Sequence, residues 1–127
     1  MNNTIYLGID PGSSGSIAIL TPDGNVETFN LSNTEVDIST FLNKTMLDAL
    51  YQDEDTLESD FFSYQDKSIP IPMFCFIEKQ WARPGQSATS MGKLLQNYGF
   101  LRGLLVSKRI PFDEISAQKW QKHFLLK

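Results

Sequence analysis

Two carboxylates stand out by where the sequence puts them. Asp10 ends the apolar, β-branched run Thr4-Ile5-Tyr6-Leu7-Gly8-Ile9, and Glu78 ends the run Met73-Phe74-Cys75-Phe76-Ile77. Runs of this length and composition predict strands, and the carboxyl ends of strands are where α/β sheets place their ligands. If the two strands are neighbours, both carboxylates face one crevice. A hard divalent cation such as Mg²⁺ takes oxygen ligands and keeps several waters, so a few carboxylates at strand ends suffice to hold it. Two such ions about 3.5–4 Å apart activate a water and stabilise the leaving oxygen in phosphodiester hydrolysis. The same residues also read more simply, Asp10 as the start of an Asp-Pro-Gly turn and Glu78 as a polar strand end paired with Lys79.

The residues around the two carboxylates fit a phosphate-bearing partner. Gly12, Ser13, Ser14 and Gly15 form a turn whose small residues let backbone N–H groups and hydroxyls approach a phosphate closely. A Gly/Ser-rich hairpin turn without ligand is the alternative. It is not a Walker A loop, because no Gly-Lys-Ser/Thr follows. After Glu78 come Lys79, Trp81, Arg83, Gln86 and Ser87. These are candidate nucleic-acid contacts: a helix starting near Ser87 offers free N–H groups to a phosphate, and Trp81 either stacks on an unpaired base or packs in its own loop.

Charge follows the same division. Residues 1–67 carry 12 acidic and 2 basic side chains, whereas residues 68–127 carry 3 acidic and 9 basic, although the whole chain is net −4. A polyanion meets a local surface rather than an average. The basic half is therefore a candidate backbone-binding face, with Lys93, Arg102, Lys108, Arg109, Lys119 and Lys122 contributing either a general field or plain solvated charge.

Positioning these groups requires elements, and the pattern supplies them. Strands are predicted at 4–10, 16–20 and 25–31, the last two joined by Thr21-Pro22-Asp23-Gly24, whose Asp-Gly pair suits positive φ. Ser32-Asn33-Thr34 then caps a helix over about 35–52 with Ile38, Phe41, Leu42, Met46, Leu47, Leu50 and Tyr51 at helical spacing. Residues 52–68 form an acidic insertion, either a helix extension or a loop. The apolar run 73–77 predicts a central strand covered on both faces. A long helix follows over about 87–107, in which Gly92, Gly99 and Gly103 imply close packing against a neighbour, since each costs up to about 1 kcal/mol against alanine. A fifth strand is predicted at 109–115, and a final helix at 117–126 capped by Ser116. The order β-β-β-α-β-α-β-α predicts one α/β domain over residues 1–127 with a mixed sheet.

Composition excludes several classes. The single cysteine, Cys75, permits no intramolecular disulfide and has no partners for a structural zinc site. No signal peptide is apparent, and no apolar stretch approaches the roughly 20 residues of a membrane-spanning helix. A cytoplasmic protein with no membrane partner is expected.

The combination of motifs resembles a known family. Ile5-Tyr6-Leu7-Gly8-Ile9-Asp10-Pro11-Gly12 followed by Gly15 resembles the opening of RuvC-type Holliday-junction resolvases of the ribonuclease H-like superfamily, and Phe76-Ile77-Glu78-Lys79 resembles their second acidic motif. Pro84-Gly85-Gln86, Tyr98-Gly99, Leu101-Arg102-Gly103, Ile110-Pro111-Phe112 and Ser116-Ala117-Gln118-Lys119-Trp120 look like the phage and bacterial branch. The resemblance implies a five-stranded mixed sheet in the order 3-2-1-4-5 with helices on its faces. It further implies Mg²⁺- or Mn²⁺-dependent cleavage of branched DNA by a homodimer, with Asp10 and Glu78 as catalytic metal ligands and no small-molecule cofactor.

The family's remaining acidic residues lie on a later C-terminal helix, and the chain is expected to stop short of it as an incomplete, inactive nuclease domain. Asp113 and Glu114 do not match that motif. The alternatives are a noncatalytic nucleic-acid-binding protein of the same fold and a YqgF-like RNA nuclease. An actin-like ATPase lobe shares the first hairpin but needs a second phosphate loop.

Overall fold

Burial alternates along the first strands, and this decides which side of the sheet becomes the core. In β1 (Ile5–Ile9), Ile5, Leu7 and Ile9 are buried while Tyr6 and Gly8 are exposed. In β2 (Ser16–Leu20), Ile17 and Ile19 are buried in the same sense. The computed structural model describes residues 4–12, 14–50, 72–81, 84–117 and 119. Its further elements are β3 (Val26–Asn30), α1 (Glu35–Leu50), β4 (Met73–Glu78), α2 (Ala88–Ser107) and β5 (Phe112–Ile115).

The five strands form one mixed sheet in the order β3-β2-β1-β4-β5. β1, β2 and β3 pair antiparallel in sequence, and β4 runs parallel to both β1 and β5. This is the α/β sheet expected of a ribonuclease H-like fold. The β2–β3 turn closes through Thr21 and Asn25 backbone bonds, with only Gly24 of the Asp-Gly pair at positive φ (+89°). Asp23 accepts from Thr21 and Asn25 there, and the Thr21 hydroxyl chiefly holds its carboxyl below the usual range.

Both described helices supply the same core as the buried side of the sheet. Thr34 caps α1, its hydroxyl accepting from the Asp37 N–H at 3.1 Å. Ile38, Leu42, Met46 and Leu50 are buried at the predicted helical spacing, and Phe41 stacks on Phe29 with ring centroids 4.3 Å apart. Leu47, predicted with them, is instead exposed. Thr45 is buried outside the apolar pattern; its hydroxyl is satisfied by the Phe41 carbonyl at 3.0 Å. Tyr98, Leu101 and Leu105 bury the inner side of α2. Cys75 is a small core residue with no exposure, and burial pushes its thiol up to about 12.

Three further sequence expectations need correction. β4 is central, but among the described residues only one of its faces is fully covered: Met73, Cys75 and Ile77 are buried, whereas Phe74 is half-buried and Phe76 exposed. An uninterrupted apolar run reads alike in the two cases.

The fifth strand begins at Phe112, not at Arg109. Residues 108–110 close α2, with the N–H groups of Lys108, Arg109 and Ile110 donating to the carbonyls of Leu104, Val106 and Leu105. Arg109 takes the left-handed conformation (φ +58°) that glycine usually occupies at such an end.

The helical glycines face open space. A Cβ on Gly92, Gly99 or Gly103 would meet nothing within 4 Å among the described residues, so no close neighbour explains them. Alanine at each position is accordingly expected to raise stability by about 0.5–1 kcal/mol, its propensity advantage in a helix interior. Thermal denaturation of the three single variants checks this, and a loss at any of them would locate a packing partner.

The acidic insertion at 52–68 and the final helix at 117–126 fall on or largely on residues outside those described. At the edge of the latter, the Lys119 N–H donates to the Ser116 hydroxyl at 3.1 Å, as the predicted cap requires. No described helix is long and apolar enough to cross a membrane.

Candidate active site

The parallel β1–β4 ladder brings the two carboxylates together. Its last register pair is Ile9↔Ile77, so Asp10 and Glu78 each stand one residue further on, side by side at the carboxyl ends of adjacent strands. Both line a cleft of about 340 Å³ on the less covered face of the sheet, with Gly8, Ser16, Ala18, Phe76 and Ile115 among its other walls. The floor is thus small and apolar, and the rim is acidic.

The turn after β1 orients Asp10. The Gly12 N–H donates to Asp10 Oδ1 at 3.1 Å, the Gly15 N–H donates to the Gly12 carbonyl at 2.9 Å, and the Asp10 N–H donates to the Ser16 carbonyl at 3.0 Å. Two of the N–H groups in the predicted phosphate-approach loop are therefore engaged within the turn, one of them on the Asp10 carboxylate itself. Pro11 and Gly15 are buried, while Ser14 is exposed. Ser13 and Arg83, also candidate site residues, lie outside the described residues.

Beyond Glu78 the chain leaves the sheet under tight control. The Lys79 N–H donates to the Ile115 carbonyl at 2.8 Å, extending the β4–β5 ladder by one bond. Lys79 is exposed, Gln80 is buried, and Trp81 is 42% exposed. Gly85 (φ +87°) turns the chain into α2. Ser87 is the cap of that helix, its hydroxyl accepting from the Ser90 N–H at 3.1 Å, so one of the free N–H groups at the helix start is already satisfied. Gln86 is half-buried, with its side-chain oxygen buried and unpaired.

Among the predicted basic residues, Arg102 and Lys108 are tied to the body of the fold. Arg102 pairs with Glu114, Nε to Oε1 at 2.5 Å, and Lys108 donates to the Asn43 side chain. Burial holds Lys108 below the usual lysine range. Lys93 and Lys119 are exposed.

The donor set can be tested against a divalent cation from its chemistry alone. Mg²⁺ is commonly held by one or two carboxylates plus waters and substrate phosphates, not by an all-protein cage. Asp10 and Glu78 meet that minimum, and with Oδ1 accepting from Gly12, Asp10 still has Oδ2 to offer. No group of three or more acidic, His or Cys side chains is found among the described residues.

No protein-family model and no curated protein matches this sequence. Among solved structures, the chain is similar to Thermus thermophilus RuvC in complex with a Holliday junction substrate, at 11% identity and a TM-score of 0.48, covering 94% of this chain and 68% of that one. It is also similar to a second Thermus thermophilus RuvC structure, at 14% identity and a TM-score of 0.39, with the same coverage. At such identities and scores the likeness adds no inference about activity. The functional reading rests on the strand order, the paired carboxylates and the cleft that they rim.

Proposed function

We propose that this chain is the core of a metal-dependent, structure-specific endodeoxyribonuclease acting on branched DNA such as Holliday junctions. The observation that carries the reading is the juxtaposition of Asp10 and Glu78 in one cleft at the ends of adjacent parallel strands. Two adjacent anions on a cleft rim repel a phosphodiester, and a cation held by them would reverse that repulsion. When bound by Asp10 and Glu78, Mg²⁺ or Mn²⁺ would supply an activated water and charge neutralisation at the leaving oxygen.

The chain's own residues do the rest. The Gly12 N–H holds the Asp10 carboxylate in one orientation, and Gly8, Ala18, Phe76 and Ile115 give the cleft an apolar floor. Lys79 brings positive charge next to Glu78. Trp81 offers an exposed aromatic face on which an unpaired base at a branch point can stack, a contact worth about 1–3 kcal/mol and indifferent to sequence. Gln86 and Ser87 continue this side towards α2, and Arg83 is assigned to the same DNA-contacting segment from its place in the sequence. A homodimer with two such clefts would make paired nicks, in the cytoplasm of a bacterial or phage-infected cell.

The test is binding and nicking of a four-way junction against linear duplex in Mg²⁺. The junction is expected to bind at least about tenfold tighter, or about 1.4 kcal/mol, with affinity falling steeply as salt rises. Equal affinity for both DNAs would remove the branched-substrate assignment. Junction binding with no measurable Mg²⁺ or Mn²⁺ binding would instead make the chain a noncatalytic junction binder of this fold.

A further inference from the structure

Nothing in the fold accounts for Gly8. A glycine inside a strand weakens it, and marks a bulge, a bend or the close approach of a ligand or another backbone. At Gly8 the ladders run on without a bulge, pairing it with Ala18 of β2 and Phe76 of β4. Its φ is not positive, and a Cβ there would meet nothing within 4 Å among the described residues. What is left of these causes is a ligand.

The surroundings of Gly8 have a definite shape. Gly8 stands two residues before Asp10 and Phe76 two residues before Glu78, so all four share the face of the sheet that lines the cleft. Ala18, Gly8 and Phe76 lie side by side across β2, β1 and β4, and this row rises from a methyl group and bare backbone to an aromatic ring 39% exposed. Phe74 braces that ring, with centroids 5.0 Å apart and planes at 57°. A slot is left over Gly8 and Ala18, walled by Phe76, inside a cleft of about 340 Å³ whose rim carries both carboxylates. Residues two apart on a strand are separated by about 6.6 Å, the step from a phosphate to the ring system of its own nucleotide.

From this arrangement we infer that Gly8, Ala18 and Phe76 form the seat of an unpaired nucleotide whose phosphate is held at Asp10 and Glu78, its base lying over the bare Gly8 backbone against the Phe76 ring. A base inside a duplex is paired and stacked, so only an unpaired or extruded one enters such a slot. The placement of the phosphate rests on the nuclease reading; the contact with the base is tested separately.

Gly8→Val fills the slot, and Phe76→Leu keeps the wall apolar but removes its ring. Both positions face away from the core, so both variants are expected to fold, Gly8→Val melting at or above wild type. The probes are fluorescently labelled tetrathymidylate in Mn²⁺, the same strand without bases, and Mn²⁺ alone. Wild type is expected to bind tetrathymidylate at least about tenfold tighter than the abasic strand, and each variant to lose about tenfold on tetrathymidylate, as for one stacked base. Mn²⁺ affinity without oligonucleotide is expected to stay within about twofold of wild type in both variants. The seat is overturned if wild type does not distinguish the two strands, or if either variant binds tetrathymidylate as tightly as wild type. Loss of Mn²⁺ affinity as large as the loss of tetrathymidylate also overturns it, because the residues would then act through the metal site. Base-dependent binding that both variants lose, in a protein that binds no Mn²⁺, supports the seat and removes the metal reading instead.

Discussion

Gly15→Ala is expected to unfold the chain or to cost at least about 3 kcal/mol, the upper end of overpacking penalties. A Cβ at this position would lie 1.9 Å from the Asp10 carbonyl oxygen, 2.8 Å from its carbon and 2.9 Å from the Gly12 oxygen. All three are backbone atoms in a turn that is cross-tied on both sides, so none yields cheaply. The Gly15 N–H donates to the Gly12 carbonyl, and the Gly15 carbonyl accepts the Leu31 N–H, which links the turn to the end of β3. Opening the turn to admit a methyl group would also break the frame that holds the Asp10 carboxylate. For a domain of this size the midpoint of thermal unfolding should fall by about 10 °C or more. Gly8→Ala is the control, since a Cβ there meets nothing within 4 Å. A Gly15→Ala protein melting within about 2 °C of wild type would show that the turn is not built as described.

The same glycines show what a sequence does and does not disclose. Ile5, Leu7, Ile9, Ile17 and Ile19 announce their face by strict alternation, and Thr34 and Ser116 announce caps by residue type, so these features are legible. Gly15 and the helical Gly92, Gly99 and Gly103 are the same residue type, yet one is forced by backbone contact and three face open space. Nothing local distinguishes them. Arg109 carries a left-handed turn without the glycine or asparagine that would mark it, which is why the pattern there reads as a strand.

The candidate site divides in the same way. Asp10 and Glu78 are each visible as strand ends, but their adjacency depends on the parallel pairing of β1 with β4, strands far apart in the chain, a non-local fact that patterning cannot state. Arg102 reads as one more charge in a basic field because Glu114, its partner, lies beyond a helix end and a turn. Tyr98 reads as an apolar position of α2, and so it is.

Asp10→Asn and Glu78→Gln are expected each to weaken Mn²⁺ binding by at least about 100-fold, or about 2.7 kcal/mol, and to abolish it in combination. The substitutions are nearly isosteric, and in Asp10→Asn the amide oxygen still accepts from the Gly12 N–H, so the turn survives and only the charge is lost. A unit charge beside a cation at contact distance is worth several kcal/mol even at an effective dielectric of about 20, which makes the expected loss a conservative figure. The metal-free proteins should move the other way. Neutralising one of two neighbouring anions relieves their repulsion, so the unfolding midpoint without metal should stay level or rise slightly, a pattern typical of groups kept for function at the expense of stability. The structural alternative makes the opposite forecast: if Asp10 only initiates a turn and Glu78 only pairs with Lys79, both substitutions lower stability and leave Mn²⁺ titrations unchanged. Titration of wild type, the two single variants and the double variant by Mn²⁺ electron paramagnetic resonance, with melting curves in chelator, separates the two. Affinities within about twofold of wild type in both single variants would remove Asp10 and Glu78 from any metal site, since a twofold change is only about 0.4 kcal/mol.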